Sequence, residues 1–265
     1  MRIIAACTLL ICMTLSAASP ARCGTVLQLA TINWEPYTGK DLPDHGFFSD
    51  LVVSALNRTG YDVEFRYYPW TRALQNAKRG NVHGLMNAYW KKDRTGFLSY
   101  PDAVWQVKEE FIALKNHPVS YTGDAASLKG YTIGVLRGSA QAEELRSAGI
   151  RTAPITDQVQ NVKRLLKKRI DAALVPRSIF FYHLERTAPE VPTKTIRILS
   201  PAFKIYNMYV AFSRNKPGYE RLTADFNLGL KQIKADGTYD RILQKHGISV
   251  EALSEKPLTH PDTRR

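Results

Sequence analysis

Apolar and polar positions alternate along this chain in a rhythm that switches between periods of two and 3.6. Residues 26–32 form an apolar run that predicts a strand. Residues 50–58 place Leu51, Val52, Ala55 and Leu56 on one helical face, with Gly60 as the stop. Residues 61–67 alternate as a second strand. Pro69 suits a first helical turn, and Leu74 and Ala77 carry that helix toward Gly80. A third strand is predicted over 82–88. Strands alternating with helices in this way imply βαβ units and a largely parallel sheet.

After Pro101 the pattern changes. Residues 105–115 read as a long strand leading away from the first sheet, and 116–130 are loop-rich, with Pro118, Gly123 and Asp124. A second α/β set then follows. It comprises a strand at 131–136, a helix opened by Gly138-Ser139 and ending at Ala148, a helix at 157–168, a strand at 171–175, a helix at 177–186 and a strand at 195–199. A strand at 206–213 returns to a long amphipathic helix, 219–235, ended by Asp236-Gly237; a short helix over 239–246 comes last. The expected architecture is α/β, with two lobes joined by two extended crossings: residues 24–110 with 207–250, and residues 111–206. Ligands of such a molecule bind between lobes that close by hinge rotation.

The first residues add a destination. Met1-Arg2, an apolar run from Ile3 to Leu15 and the small residues that follow have the form of a secretory signal within residues 1–23, with cleavage after Ala18, Ala21 or Cys23. The run is shorter than the roughly 20 residues a spanning helix needs. A periplasmic product is expected. Of three cysteines, Cys7 and Cys12 lie within the signal, so the mature chain has no pair for an internal disulfide. Arg22 stands where a lipid-attachment box requires a small residue, which argues against lipidation of Cys23. The polar residues 251–265 read as a disordered tail.

The formal charge of +13 admits nucleic acid, an anionic surface or an acidic ligand as partners. The basic residues are scattered, apart from Lys163-Arg164 with Lys167-Lys168-Arg169, and are not interleaved with aromatics. A nucleic-acid stripe is therefore not expected. Catalytic patterns are missing as well. The six histidines have no metal-ligand spacing, no phosphate loop occurs, and Arg137-Gly138-Ser139-Ala140-Gln141 lacks the second glycine of a nucleophile elbow. Neither a metal nor a cofactor is expected.

Two segments some forty residues apart read as walls of one pocket. Trp34-Glu35-Pro36-Tyr37 follows the first strand. Trp70-Thr71-Arg72 opens a helix, and Asn87 and Arg94 lie at and beyond the third strand. Aromatic rings and an arginine at the carboxyl ends of neighbouring strands are how an open α/β sheet builds a small-molecule site.

Four segments, in order, then carry a resemblance that covers nearly the whole mature chain. They are Ala30-Thr31-Ile32-Asn33-Trp34-Glu35-Pro36-Tyr37; Arg94 with Phe97-Leu98-Ser99-Tyr100-Pro101; Leu128-Lys129-Gly130-Tyr131-Thr132-Ile133-Gly134-Val135; and Lys234-Ala235-Asp236-Gly237-Thr238-Tyr239. With them the chain resembles the periplasmic solute-binding proteins of polar amino acid transporters, relatives of the glutamate-receptor ligand core. The resemblance implies the type II periplasmic binding fold. It implies Trp34 and Trp70 stacking on the ligand, Asn87 hydrogen bonding to it, and Arg94 gripping its carboxylate with a planar fork. It also implies Ser139 and Gln141 at a helix start that favours an anion, although Ser139 serves equally as an N-cap.

The family places an acid for the ligand's ammonium after the strand matching Asp171-Ala172-Ala173-Leu174-Val175. Here Pro176 and Arg177 follow. Either Glu35 supplies that charge or the ligand has no α-ammonium. Tyr89 stands where a small hydroxyl residue is usual and reshapes the pocket, while Arg72, Arg137 and Arg177 add positive charge. The expected function is capture of a small carboxylate-bearing solute by a monomer, for an inner-membrane ABC permease. The alternatives are ligand sensing for a signalling partner, or an enzyme resembling cyclohexadienyl dehydratases.

Overall fold

The computed structural model describes residues 25–248; the predicted signal at 1–23 and tail at 251–265 lie outside them. Strand β1 (Thr25–Thr31) is flanked in parallel by β2 (Tyr61–Tyr67) and β3 (Gly84–Tyr89). Helices α1 (Phe47–Arg58) and α2 (Trp70–Lys78) make the crossovers. Helix α1 begins before the predicted Asp50, because Gly46 adopts φ 93° and turns Phe47 and Phe48 inward, where both are buried.

Strand β4 (Leu98–Ser99) is a short edge piece, and β5 (Trp105–Leu114) then crosses between the two halves of the molecule. The second half is built from β6 (Thr132–Leu136), α3 (Ala140–Ser147), β7 (Arg151–Ile155), α4 (Val159–Leu166), β8 (Ala172–Val175), α5 (Arg177–Thr187) and β9 (Ile196–Ile198). Strand β10 (Lys204–Ser213) returns, followed by α6 (Tyr219–Ala235) and α7 (Thr238–Lys245).

The strand order is β2-β1-β3-β10-β5-β8-β6-β7. The first part of β5, Trp105 to Glu109, pairs antiparallel with β10, and Glu110 to Leu114 pair with β8 and β9. Strand β5 thus serves both sheets, and the chain returns to the first through β10, which is the hinge arrangement of a two-lobed α/β protein.

Strand β7 is absent from the sequence-based elements. Its Arg151, Thr152 and Pro154 give no apolar alternation, and it lies at the sheet edge in parallel register with β6, where a proline is tolerated. Helix α6 packs on α1: a side-chain carbon on Gly229 would sit 1.9 Å from the Ala55 carbonyl oxygen, so only glycine permits this approach.

Candidate functional site

The site grows from the carboxyl ends of β1 and β3. Beyond Thr31 the chain folds into a tight loop in which the Trp34 amide donates to the Thr38 carbonyl at 2.7 Å and the Tyr37 amide to the Trp34 carbonyl at 3.0 Å. Thr38 Oγ1 donates to the Ile32 carbonyl and pins the loop back onto the strand. Trp34 is thereby held 3% exposed, with Tyr37 stacked on it at 5.1 Å and Tyr89 edge-on at 6.2 Å.

Asn87 is aimed by a bulge. Ala88 pairs with Tyr209 and Leu85 with Ala211, so Met86 and Asn87 together oppose Val210. Asn87 takes φ 57°, a left-handed conformation that asparagine tolerates better than most residues, and its Oδ1 accepts from Thr31 Oγ1 at 2.9 Å.

A small cavity of about 20 Å³ lies between the lobes. Ile32, Trp34, Trp70, Asn87, Tyr89 and Arg94 line it from one lobe; Leu136, Ser139, Ala140 and Gln141 line it from the other. A larger hollow of about 270 Å³, bordered by Tyr67, Tyr68, Asp157 and Gln158, continues past the Trp34 and Trp70 rings. The lobes touch at several points. The Gly138 carbonyl accepts from Trp70 Nε1 at 2.9 Å and from Arg94 Nη2 at 3.3 Å. Glu143 on α3 pairs with Lys91 and stands 3.6 Å from Arg94 Nη2. The Tyr37 and Ser178 hydroxyls share a hydrogen bond of 3.0 Å.

Buried polar atoms without a partner converge on this cavity. Trp34 Nε1, Arg94 Nη1 and Gln141 Oε1 make no hydrogen bond, although each is shielded from water. Arg94 is 3% exposed, and burial lowers its pKa, a sign that its charge is short of compensation. Two free donors beside one free acceptor is a pattern that a ligand can complete.

Behind the cavity wall stands Glu109 on β5, fully buried. Its Oε1 accepts from Tyr89 Oη and Gln141 Nε2, each at 2.9 Å, and its Oε2 has no hydrogen-bond partner. Burial pushes its carboxyl up to about 8, with Glu110 adding to the shift and the Tyr89 hydrogen bond opposing it. Sequence reading had not singled it out. An acid pair inside the apolar strand Trp105–Leu114 was the available signal, since alternation must bury one of two adjacent side chains.

Other expected site residues lie elsewhere. Arg72 is exposed on α2: Trp70, Ala73 and Ala77 form the buried face, and a helix turns position 72 away from it. Arg137 is exposed too, and Arg177 turns to Glu110, which its Nε meets at 2.7 Å. Neither lines the cavity. Tyr37 supports Trp34 from behind and is not part of the cavity wall. Glu35 lies 3.5 Å from His183 Nε2 on α5 and likewise stands outside the cavity wall. Burial raises the Glu35 pKa and lowers that of His183, so each favours its neutral form. Ser139 caps α3, its Oγ accepting from the Ala142 amide at 3.2 Å, while still lining the cavity.

Comparison with known proteins agrees with this fold. The chain is 25% identical to the lysine/arginine/ornithine-binding periplasmic protein of Escherichia coli (strain K12), over 92% of this chain and 95% of that protein. An ancestral arginine-binding protein bound to arginine superposes with a TM-score of 0.71 at 20% identity, covering 83% of this chain and 97% of the other. A histidine kinase sensor domain with similarity to periplasmic binding proteins gives 0.73 at 18%, covering 84% and 96%. The profile of one family matches residues 29–249, and by that match the chain belongs to the bacterial extracellular solute-binding proteins, family 3.

Proposed function

We propose that this protein captures a small carboxylate-bearing solute, an amino acid or related organic acid, in the cleft between its lobes and delivers it to an inner-membrane ABC permease. The observation that carries the reading is Arg94: it is buried, lies over the Trp70 ring, lines the cavity and has a free Nη1. A carboxylate would satisfy that nitrogen and add to the partial compensation from Glu143, with a second oxygen in reach of donors such as Trp34 Nε1. Asn87, Ser139 and Gln141 would complete the polar contacts, and Trp70 and Tyr89 the walls.

The names of the relatives support this reading, the E. coli protein being a lysine/arginine/ornithine-binding periplasmic protein. The strand pairing supports lobes at 24–110 with 207–250 and at 111–206, and the predicted leader at 1–23 supports a periplasmic setting. The likeness to a kinase sensor domain favours a second reading, in which the loaded protein signals to a membrane sensor. The test is a thermal-shift screen of amino acids and organic acids: a ligand at 100 times its Kd stabilises the fold by roughly 2.7 kcal/mol. Stabilisation only by compounds without a carboxylate would overturn the proposal. Assays with the neighbouring permease reconstituted in vesicles would separate delivery from signalling.

A further inference from the structure

The end of β8, where Pro176 stands, offers no acid to a ligand's ammonium, and Glu35 is turned to His183 outside the cavity wall. The hinge strand does offer one. Glu109 is one hydrogen bond behind the cavity, its carboxylate taking the Gln141 Nε2. That bond sets the polarity of the Gln141 amide: Glu109 Oε1, which also accepts from Tyr89 Oη, takes the amide nitrogen whether the carboxyl is neutral with its proton on Oε2 or ionised. The amide oxygen is then left free in the cavity wall, 4% exposed as a residue and without a partner. Across the cavity stand the free donors of Trp34 and Arg94. A zwitterion matches this order: carboxylate toward Arg94, ammonium toward Gln141.

We propose that Glu109 is the positioning residue that makes the cleft select a ligand bearing an ammonium group beside its carboxylate, acting through Gln141 and releasing a proton when that ammonium binds. This rests on the carboxylate reading above. The groups that face Glu109 are Tyr89 from β3, Tyr206 from β10, Gln141 from α3 and Tyr37 from the first loop, with Glu110 beside it on β5. None of these supplies a positive charge. Burial therefore keeps the Glu109 carboxyl protonated in the empty cleft at neutral pH. A bound ammonium favours the ionised form, so the proton leaves to solvent as the ligand enters. Proton balance then requires affinity for such a ligand to rise with pH, by up to about ten-fold per unit, below the pKa of the empty site. A 2-oxo acid lacks the ammonium and meets a growing negative charge instead, so its affinity stays level or falls.

The experiment is isothermal titration of the mature protein with the twenty L-amino acids and their 2-oxo counterparts. It is run between about pH 6 and about pH 8, in buffers of different ionisation enthalpy. The expected result is binding of at least one L-amino acid, an affinity ratio over its 2-oxo acid that rises with pH, and net proton release. In Glu109→Gln the rise and the release should vanish, and the L-amino acid should weaken ten-fold or more at the upper pH, while the 2-oxo acid binds no worse. If the variant does not fold, the parent's own ratio and proton count decide. A ratio independent of pH, absence of proton release, or binding of 2-oxo acids alone overturns this proposal and leaves the carboxylate reading intact. Binding by neither set overturns both.

Discussion

Trp70 Nε1 donates to the Gly138 carbonyl oxygen across 2.9 Å, and this hydrogen bond ties the first turn of α2 in one lobe to the loop before α3 in the other. Gly138 has φ 69°, and a side-chain carbon there would lie 2.8 Å from Thr71 Cγ2. Left-handed backbone and close approach together exclude other residues at this clasp.

Gly138→Ala should therefore cost roughly 1 kcal/mol of stability through backbone strain. It should also weaken ligand binding by about ten-fold, or roughly 1.4 kcal/mol, because closure presses the added methyl onto Thr71. Thermal melting without ligand and titration with ligand measure the two effects separately. Unchanged affinity would show that this contact is not part of the bound state.

Arg94→Ala should remove about 2–5 kcal/mol of binding to a carboxylate ligand, the range for deleting one partner of a buried charge pair. Without ligand the same variant should melt near the parent temperature, because Arg94 is desolvated and only partly compensated in the empty site. Titration against the parent checks the first number. A loss of folding with retained affinity per folded molecule would reverse the assignment.

Glu109 links stability to pH. Its folded pKa of about 8 lies above the ordinary 4.5, so its contribution is fully present below about pH 4.5 and is lost as pH rises toward 8. Relative to Glu109→Gln, the ligand-free parent should lose on the order of 3 kcal/mol between about pH 5 and about pH 8. Urea unfolding of both proteins at the two pH values gives the difference, and parallel curves would mean that the carboxyl titrates normally.

Gly229→Ala should destabilise the fold by roughly 1–3 kcal/mol, since the new methyl meets the Ala55 backbone and the two helices must separate. The ligand site is remote from this contact, so Kd should not change. Denaturant midpoints and titrations test both halves.

Residues with local causes were legible in the sequence. Trp34 and Trp70 announced themselves as indoles at a strand exit and a helix start, and Arg94 as a charge following a strand; all three line the cavity. What escaped was set by three-dimensional phase. Arg72 sits two positions after Trp70, and only the helical turn separates the cavity from solvent. Arg177 had an acid waiting on β5, 67 positions earlier in the chain. Glu109 escaped because a strand that serves two sheets reads as one apolar run, and its partners come from β3 and α3. Strand β7 escaped because its order comes from β6 rather than from its own side chains.

The bulge at Met86 and Asn87 has a bearing on how this cleft can change. Antiparallel partners share a sheet face, so Ala88 lies with Leu85 and Tyr89 with Gly84. Simple alternation would have joined Leu85 to Tyr89 instead. The extra residue is thus a frame shift written into the strand, separating an upstream half committed to the lobe interior from a downstream half that addresses the ligand. Deleting one residue there would swap the faces of Ala88 and Tyr89 while Gly84 and Leu85 kept theirs. Tyr89 would turn from Glu109, and the cleft would present a different chemistry on the same scaffold.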